Sequence, residues 1–261
     1  MPSVMRATAH LLAAYDRELR TEAEMRGAAA VTRIGPLWLG TFPGGSGFVS
    51  YRDLEGADPA ELVPRVVEHF ERDPGVGEVE WKTRAHDVAP GLHEALISAG
   101  FAPGEPESVM IGEAQALAVE LPLPEGVTLR QVADEADIRR MVAMQDEVFG
   151  SPRPVEGLLA ELADDPTIEC WIAEHDGEVI SAGRLHPVAG TAFAGIWGGA
   201  TVPRWRRRGV YRALTAARAR SALRRGATLI HSDSTEDSRP ILERYGFVKV
   251  TETTPYEWHR P

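Results

Sequence analysis

The chain contains the segment Ala200-Thr-Val-Pro-Arg-Trp-Arg-Arg-Arg-Gly-Val-Tyr-Arg-Ala-Leu214. An apolar stretch rich in Gly and Ala, typical of a buried strand, precedes it, and a periodic helical pattern begins at Val210. The turn between them carries Gly209, which allows unusual dihedrals and close backbone approach to a ligand. Backbone N–H groups at a helix start, together with arginines, bind phosphate groups well. The segment therefore predicts a strand–turn–helix unit that holds a diphosphate.

The charge distribution separates this segment from the rest of the chain. The sequence has 28 Lys and Arg against 39 Asp and Glu, a net charge of −11. Residues 191–232 contain no Asp or Glu and nine arginines, so the remaining residues carry −20. This balance, with only Trp205 and Tyr211 as aromatic residues among the arginines, disfavours DNA or RNA as a partner. We assign the basic segment to an anion site. Its arginines are Arg204, Arg206, Arg207, Arg208, Arg212, Arg218, Arg220, Arg224 and Arg225.

Composition predicts a soluble, cytoplasmic protein. Hydrophobic residues make up 43% and charged residues 26% of the 261 residues, which is typical of a globular chain of one to two domains. Cys170 is the only cysteine, which excludes an intramolecular disulfide and a thiolate zinc cluster, and we expect no metal site. The first 25 residues contain acids and only a short apolar run, and the longest uncharged run is broken by Pro187 and four glycines. We therefore expect neither a signal peptide nor a membrane partner.

Two turn-rich stretches predict a domain boundary. Residues 103–107 are Pro-Gly-Glu-Pro-Glu, and residues 120–126 contain two prolines and a glycine between apolar segments. We expect an α/β domain at residues 1–120 and a second domain at residues 121–261. In the first domain, periodicity and turn residues predict helices at 10–25, 59–72 and 90–99 and strands at 37–41, 47–51 and 79–83.

The second domain has a clear order of predicted elements. Its strands are expected at 127–132, 168–174, 178–186, 192–202, 228–231 and 247–258, and its helices at 133–149, 155–163, 210–225 and 237–245. The order β-α-α-β-β-β-α-β-α-β predicts an α/β fold, α+β in some schemes, whose sheet contains strands of both directions.

The phosphate-binding segment resembles the cofactor signature of the GNAT superfamily of acetyl-CoA-dependent N-acetyltransferases. That signature is Arg/Gln-x-x-Gly-x-Gly/Ala, preceded by a strand and a Pro-x-aromatic sequence. Here its places are occupied by Pro203, Trp205, Arg206, Gly209 and Tyr211, and Tyr211 departs from the family's Gly or Ala.

A second motif extends the resemblance. Ser238-Arg-Pro-Ile-Leu-Glu-Arg-Tyr-Gly-Phe247 is similar to the family's last helix, which ends in Gly-Phe before the final strand. The resemblance covers about residues 126–260. It implies a mixed, mostly antiparallel GNAT-like sheet flanked by helices, with a smaller N-terminal α/β domain beside it.

The resemblance also implies a reaction. Acetyl-CoA would bind where the strand ending at Val202 separates from the strand at 228–231, and one backbone N–H would polarise the thioester carbonyl. A primary amine of a small molecule or peptide would attack the thioester directly. The alternative is a non-catalytic acyl-CoA sensor on the same fold. The sequence does not indicate the oligomeric state, and a homodimer is compatible with it. The residues that this resemblance assigns to the cofactor are Ala200, Thr201, Val202, Arg206, Arg207, Arg208, Gly209, Val210, Tyr211 and Arg212.

An amine with a pKa of about 10 must lose a proton before it attacks, so a base or a water chain is needed. Our candidate base is Asp233, which follows a strand of the expected cleft, although an Asp there also suits helix capping. Further candidates that have ordinary surface interpretations are His186, Asp146 and Glu147. The tyrosine that often serves as the family's acid is replaced by Leu242, and we interpret Tyr245, which lies nearby, as a packing residue.

The two halves of the chain share a short similarity. Residues 88–101, Val-Ala-Pro-Gly-Leu-His-Glu-Ala-Leu-Ile-Ser-Ala-Gly-Phe, resemble the segment ending at Phe247. With Phe101 placed on Phe247, Asp87 falls on Asp233. This suggests a degenerate GNAT-like first domain that has lost the phosphate-binding turn. The alternative is chance, because short helices commonly end in Gly followed by an apolar residue.

Overall fold

The computed structural model describes the backbone of residues 2–150 and 154–261 and the side chains of residues 5–150 and 154–261. The helices are α1 (Pro2–Glu18), α2 (Pro59–Glu71), α3 (Leu92–Ser98), α4 (Ala114–Leu117), α5 (Glu135–Phe149), α6 (Val155–Asp164), α7 (Val210–Arg224) and α8 (Arg239–Tyr245). The strands are β1 (Ala30–Ile34), β2 (Leu37–Phe42), β3 (Ser46–Ser50), β4 (Glu78–Arg84), β5 (Ala102–Pro103), β6 (Glu107–Glu113), β7 (Val127–Val132), β8 (Glu169–His175), β9 (Glu178–Pro187), β10 (Phe193–Thr201), β11 (Leu229–Ser234) and β12 (Val248–His259). Within these described residues, no helix is long and apolar enough to cross a membrane.

The chain forms two compact units that are interleaved in sequence. The first contains Met1–Met110, Asp233–Pro240 and Lys249–Pro261, and the second contains Ile111–Ser232 and Ile241–Val248. The C-terminal strand β12 therefore belongs almost entirely to the first unit. Neither unit is continuous in sequence, and the domain boundary near residue 120 stays a prediction.

The first unit contains strands in the order β1-β2-β3-β4-β12. β3 and β4 are parallel, with Phe48 opposite Glu80, and the other neighbours are antiparallel. Helix α2 begins after Asp58, whose side chain accepts a hydrogen bond from the Ala60 N–H at 2.9 Å, an ordinary N-cap. Its apolar face packs against the sheet and α3. The core of this unit includes Leu62, Val66, Phe70, Leu96, Trp81 and Trp258.

The second unit contains strands in the order β11-β10-β9-β8-β7. β10 and β11 are parallel and the other neighbours are antiparallel. Helix α5 is capped at its start by Asp134, which accepts a hydrogen bond from the Asp137 N–H at 3.0 Å, and ends at Gly150 in the left-handed region. Helix α7 packs on β8, β9 and β10. The predicted α/β fold with a mixed, mostly antiparallel sheet flanked by helices is confirmed.

The N-terminal part of the chain departs from the sequence prediction. The helix predicted at residues 10–25 is wrong in both bounds, because α1 ends at Glu18 and a separate three-ten helix follows at Glu22–Met25. Thr21 caps that short helix by accepting a hydrogen bond from the Ala23 N–H at 3.1 Å. Strand β1 was not predicted, because four of its five residues are exposed and show no alternation.

The two units share an order of elements. In the first, β3, α2, β4 and α3 are followed by Gly100-Phe101, and in the second, β10, α7, β11 and α8 are followed by Gly246-Phe247. The two strands of each series are parallel. Leu96 and Leu242, which the sequence similarity places together, are both buried. These features support the interpretation of the first unit as a relative of the second.

Candidate functional site

Strands β10 and β11 separate partway along their length. Their parallel pairing runs from Phe193 opposite Leu229 to Gly195 opposite His231, whereas β10 continues to Thr201. On its other side, β10 pairs with β9 from Ala194 to Thr201. The edge of β10 that leaves β11 can therefore offer backbone N–H and C=O groups to an extended ligand.

A bulge lies in this part of β10. The register pairs Trp197 with Arg184 and then Ala200 with Ala182, so β10 carries one more residue than β9 over the same length. Gly198 has a φ of +60°, a left-handed conformation that glycine adopts readily. Bulges redirect peptide groups out of the strand ladder, so this bulge can aim a backbone donor at a bound molecule.

The residues between β10 and α7, 202–209, form what we call the arginine turn. Pro203–Trp205 is a three-ten helix, and the Arg206 Nε donates a hydrogen bond to the Thr201 carbonyl at 3.1 Å. Arg207 and Gly209 have φ values of +61° and +82°. An added Cβ at Gly209 would meet nothing within 4 Å. The turn is thus tied to the strand end and leaves open space at the helix start.

Helix α7 begins at Val210 without a side-chain cap and without an acidic residue in its first turn. The Ala213 N–H donates to the Gly209 carbonyl at 2.9 Å, so the N–H groups of Val210, Tyr211 and Arg212 precede the helix's own ladder. The partial positive charge at the start of a helix of 15 residues favours an anion at these donors.

Four exposed arginines surround the helix start: Arg206, Arg207, Arg208 and Arg212. Arg204 lies in the same turn, and the other four lie along α7 or at its end: Arg218, Arg220, Arg224 and Arg225. Arg204 pairs with Glu178, and Arg225 pairs with Glu169 at 2.7 Å. The charge available to an anion at the turn is therefore about half of what the sequence segment contains.

Tyr211, the residue that departs from the signature, turns its ring toward β10. A Cβ added to Gly199 would lie 2.3 Å from the Tyr211 hydroxyl oxygen. The ring centre lies 6.1 Å from that of Tyr245 and 5.8 Å from the Arg218 guanidinium. Because the side chain is packed against the sheet, the backbone N–H of Tyr211 stays at the helix start.

Asp233, the candidate base, forms an ion pair with Lys82 inside the first unit. Both side chains are largely buried, with 8% of the Asp233 side chain exposed. Burial acts to lower the pKa of Lys82, but attraction to Asp233 and other acids outweighs it and raises that pKa. Sequence reasoning missed Lys82, since no local signal links it to a residue 151 positions away.

Three further residues named in the sequence analysis lie at different places in the fold. His186 Nδ1 lies 3.7 Å from Glu161 of α6, and His186 is opposite Gly195, next to the point where the strands separate. Leu242 is 2% exposed and provides no acid. Burial raises the pKa of Tyr245, which packs on Tyr211 as expected.

The acids near the end of α5 stay ordinary candidates. Asp146 is half-buried and Glu147 is exposed. Within the residues that the structure describes, no three His, Cys, Asp or Glu side chains are grouped to hold a metal ion.

The site thus combines a mixed sheet, one parallel strand pair that separates and an arginine-rich turn before a helix. Residues 138–247 match the model of the acetyltransferase (GNAT) family. This part of the chain is therefore similar to a GNAT acetyltransferase domain. No curated protein matches the sequence.

Solved structures share the fold over most of the chain. A GCN5-related N-acetyltransferase from Kribbella flavida has a TM-score of 0.66 and 18% identity, covering 97% of this chain and 94% of that one. A GCN5-related N-acetyltransferase from Sphaerobacter thermophilus has a TM-score of 0.62 and 18% identity, covering 87% and 78%. A tandem GNAT protein from the clavulanic acid biosynthesis pathway, without AcCoA, has a TM-score of 0.62 and 14% identity, covering 86% and 79%.

Proposed function

We propose that the protein transfers an acetyl group from acetyl-CoA to a primary amine of a small molecule or peptide. One observation carries the proposal: the uncapped start of α7 lies at the end of the strand edge that separates from β11. This combines a diphosphate site with a row of backbone groups for an extended arm. Nucleic acid and membrane stay outside the proposal.

The residues fit acetyl-CoA as follows. The N–H groups of Val210, Tyr211 and Arg212 would hold the diphosphate, with the exposed arginines of the turn adding charge. Gly209 provides room for close approach. The backbone of residues 200–202 would pair with the pantetheine arm.

Acetyl-CoA, when bound, supplies a thioester that a neutral amine can attack and a thiol that leaves readily. A backbone N–H near the β10 bulge would polarise the carbonyl, as oxyanion donors do. We propose Asp233 as the group that accepts the amine proton, because it lies on β11 just beyond the point where β10 and β11 separate. The buried Leu242 implies that the thiol departs without a protein acid.

We propose that residues 1–120 form a degenerate GNAT-like domain that is not a second catalyst. Its helix α2 starts with an acidic cap, Asp58, and its preceding loop has no Arg-x-x-Gly turn. An acidic cap occupies the N–H groups that a phosphate would need.

The diphosphate site is tested with two glycines that share backbone geometry. Gly209 and Gly226 lie before and after α7, have φ values of +82° and +87°, and face open space. Gly209→Glu and Gly226→Glu should therefore cost similar backbone strain, but only the first places a carboxylate at the proposed diphosphate. Ligand at a hundred times its Kd stabilises a protein by about 2.7 kcal/mol. We expect acetyl-CoA to raise the Tm of the wild type and of Gly226→Glu, but not of Gly209→Glu.

Arginine variants provide a second comparison. Arg206→Ala should weaken acetyl-CoA binding, whereas Arg224→Ala, an exposed arginine at the far end of α7, should not. Equal acetyl-CoA binding by all four glycine and arginine variants would contradict the proposed diphosphate site. If acetyl-CoA near 1 mM does not stabilise the wild type, any CoA-dependent function is contradicted.

Thiol release over a panel of small amines and peptides then tests the reaction. Turnover that falls in Asp233→Asn while acetyl-CoA binding is kept would support the proposed base. Binding without turnover for any amine would favour the acyl-CoA sensor instead.

A further inference from the structure

The bulge in β10 consists of two consecutive glycines. Trp197 pairs with Arg184 and Ala200 with Ala182. Gly198 and Gly199 therefore lie together opposite the single β9 residue between Ala182 and Arg184. Two residues against one leave a peptide group outside the regular ladder. The direction of the Gly198–Gly199 peptide plane is therefore not set by strand pairing and needs another partner.

Gln145 of α5 is that partner. Its side-chain amide donates a hydrogen bond to the Gly198 carbonyl at 2.5 Å. Gln145 is only 9% exposed, so water does not readily replace it. A buried amide that lost this carbonyl would leave two polar groups unsatisfied, which is costly. The contact therefore holds the carbonyl of the bulge toward α5.

The other side of the same peptide follows from its geometry. The chain has no cis peptide bonds among the described residues, and in a planar trans peptide the N–H points opposite to the C=O. The Gly199 N–H thus points away from Gln145. The Cα of Gly199 is packed against Tyr211, whose hydroxyl oxygen would lie 2.3 Å from an added Cβ.

Tyr211 is itself packed against a buried arginine, Arg218. Arg218 is fully buried, and its guanidinium lies 5.8 Å from the Tyr211 ring centre and donates to the Arg184 carbonyl at 3.2 Å. A Cβ on Gly183 would lie 2.6 Å from this guanidinium. The bulge is therefore held by the Gln145 hydrogen bond at Gly198 and packed against Tyr211 at Gly199, with Arg218 beside the Tyr211 ring.

We infer that Gln145 is a positioning residue that sets the direction of the Gly199 N–H for acetyl transfer. This inference rests on the proposed function, in which a backbone N–H of this part of β10 polarises the thioester carbonyl. Gln145 touches the strand rather than the acetyl donor, so it acts on the chemical step and not on the diphosphate.

The kinetic test replaces the amide by a side chain of similar size that cannot donate. Gln145→Met should lower kcat by about 10- to 100-fold, since misdirecting one oxyanion donor weakens transition-state stabilisation. The Kd of acetyl-CoA should change by less than about threefold, because the arginine turn is untouched. Gln131→Met, an exposed glutamine of β7, is the control and should match the wild type.

A second variant approaches the same contact from the strand. A Cβ on Gly198 would lie 3.0 Å from the Gln145 amide nitrogen, and the φ of +60° disfavours other residues. Gly198→Ala should therefore displace the same hydrogen bond and lower kcat similarly. It keeps the inference testable if Gln145→Met does not fold.

A spectroscopic measurement separates this inference from the proposed function. In ¹⁵N–¹H spectra of the full chain, the Gly199 amide should shift and exchange faster with solvent in Gln145→Met than in Gln131→Met, with or without acetyl-CoA. An unchanged Gly199 amide in a folded Gln145→Met protein would overturn the inference whatever the activity. A shifted amide with unchanged kcat would overturn the catalytic part of the inference, and a wild type without turnover would count against the proposed function alone.

Discussion

Substitution of Gly199 by alanine tests the packing beneath the bulge. The new Cβ would lie 2.3 Å, 2.8 Å and 2.9 Å from Oη, Cε2 and Cζ of Tyr211. Ordinary contact between such atoms needs about 3.5–4.0 Å, so the ring must move by roughly 1 Å. Tyr245 and Arg218 pack beside the ring and oppose that movement. Overpacking of this kind costs about 1–3 kcal/mol of the free energy of unfolding.

The same substitution should be nearly harmless once the ring is gone. In a Tyr211→Ala background, Gly199→Ala meets no ring, and its φ is not in the left-handed region, so it should change stability by less than about 1 kcal/mol. The double-mutant cycle should therefore show a coupling of about 1–3 kcal/mol between the two positions.

Urea unfolding of the four proteins, followed by circular dichroism, measures this coupling. The single variant Tyr211→Ala is destabilised in its own right by the lost packing, and the cycle removes that effect. Additive effects within about 0.5 kcal/mol would show that the Tyr211 ring does not lie against Gly199, and would refute the reasoning about the bulge.

Three further outcomes are expected. The hydrogen bond from Arg130, aided by Arg140, lowers the pKa of Asp137 to about 2 from 3.8, so its stabilising effect is present above about pH 4 and is lost as the pH falls toward 2. Asp137→Asn should therefore destabilise the protein at pH 7 but not near pH 2, measured by urea unfolding. Burial raises the pKa of Cys170 to about 11 from 9.0, so its reaction with a disulfide reagent at pH 8 should be at least about 100-fold slower in the native than in the unfolded protein. Gly157→Ala, inside α6 with nothing within 4 Å of its new Cβ, should raise the free energy of unfolding by up to about 1 kcal/mol.

Each of these has a contrary outcome. A destabilisation by Asp137→Asn that is the same at pH 2 and pH 7 would contradict the ion-pair account, and the exposed Asp176→Asn is its control. Rapid labelling of Cys170 in the folded protein would contradict its burial. A loss of stability in Gly157→Ala would show that α6 is not an ordinary helix at that position.

Local motifs were predictable from the sequence, and long-range contacts were not. The arginine turn and the start of α7 depend on residues adjacent in sequence, from Pro203 to Arg212. Their capacity to bind an anion can therefore be predicted from the sequence. The hydrogen bond from Gln145 joins residues 53 positions apart. No pattern in α5 distinguishes this glutamine from a surface residue, because only the fold brings it into contact with the β10 bulge.

Strands that violate alternation were also missed. The exposed residues of β1 lack an apolar face, and β6 has five consecutive buried residues, from Ser108 to Gly112, so neither shows the period of two that marks a half-buried strand. The sequence analysis also assigned the whole basic segment to one anion site, whereas Arg218 is buried in the core. A charge count does not distinguish a ligand-binding arginine from one that packs.

The interleaving of the two units bears on how the protein is made. β12 pairs with β4 from Thr253 opposite Arg84 to His259 opposite Glu78, and Tyr256 and Trp258 belong to the first unit's core. During synthesis from the N-terminus, the core of the first unit thus cannot be completed until nearly the last residues of this sequence have been made. The second unit, of which all but residues 241–248 is made by Ser232, can begin to fold while the first is still incomplete. The order of folding on the ribosome is therefore expected to run against the order of the sequence.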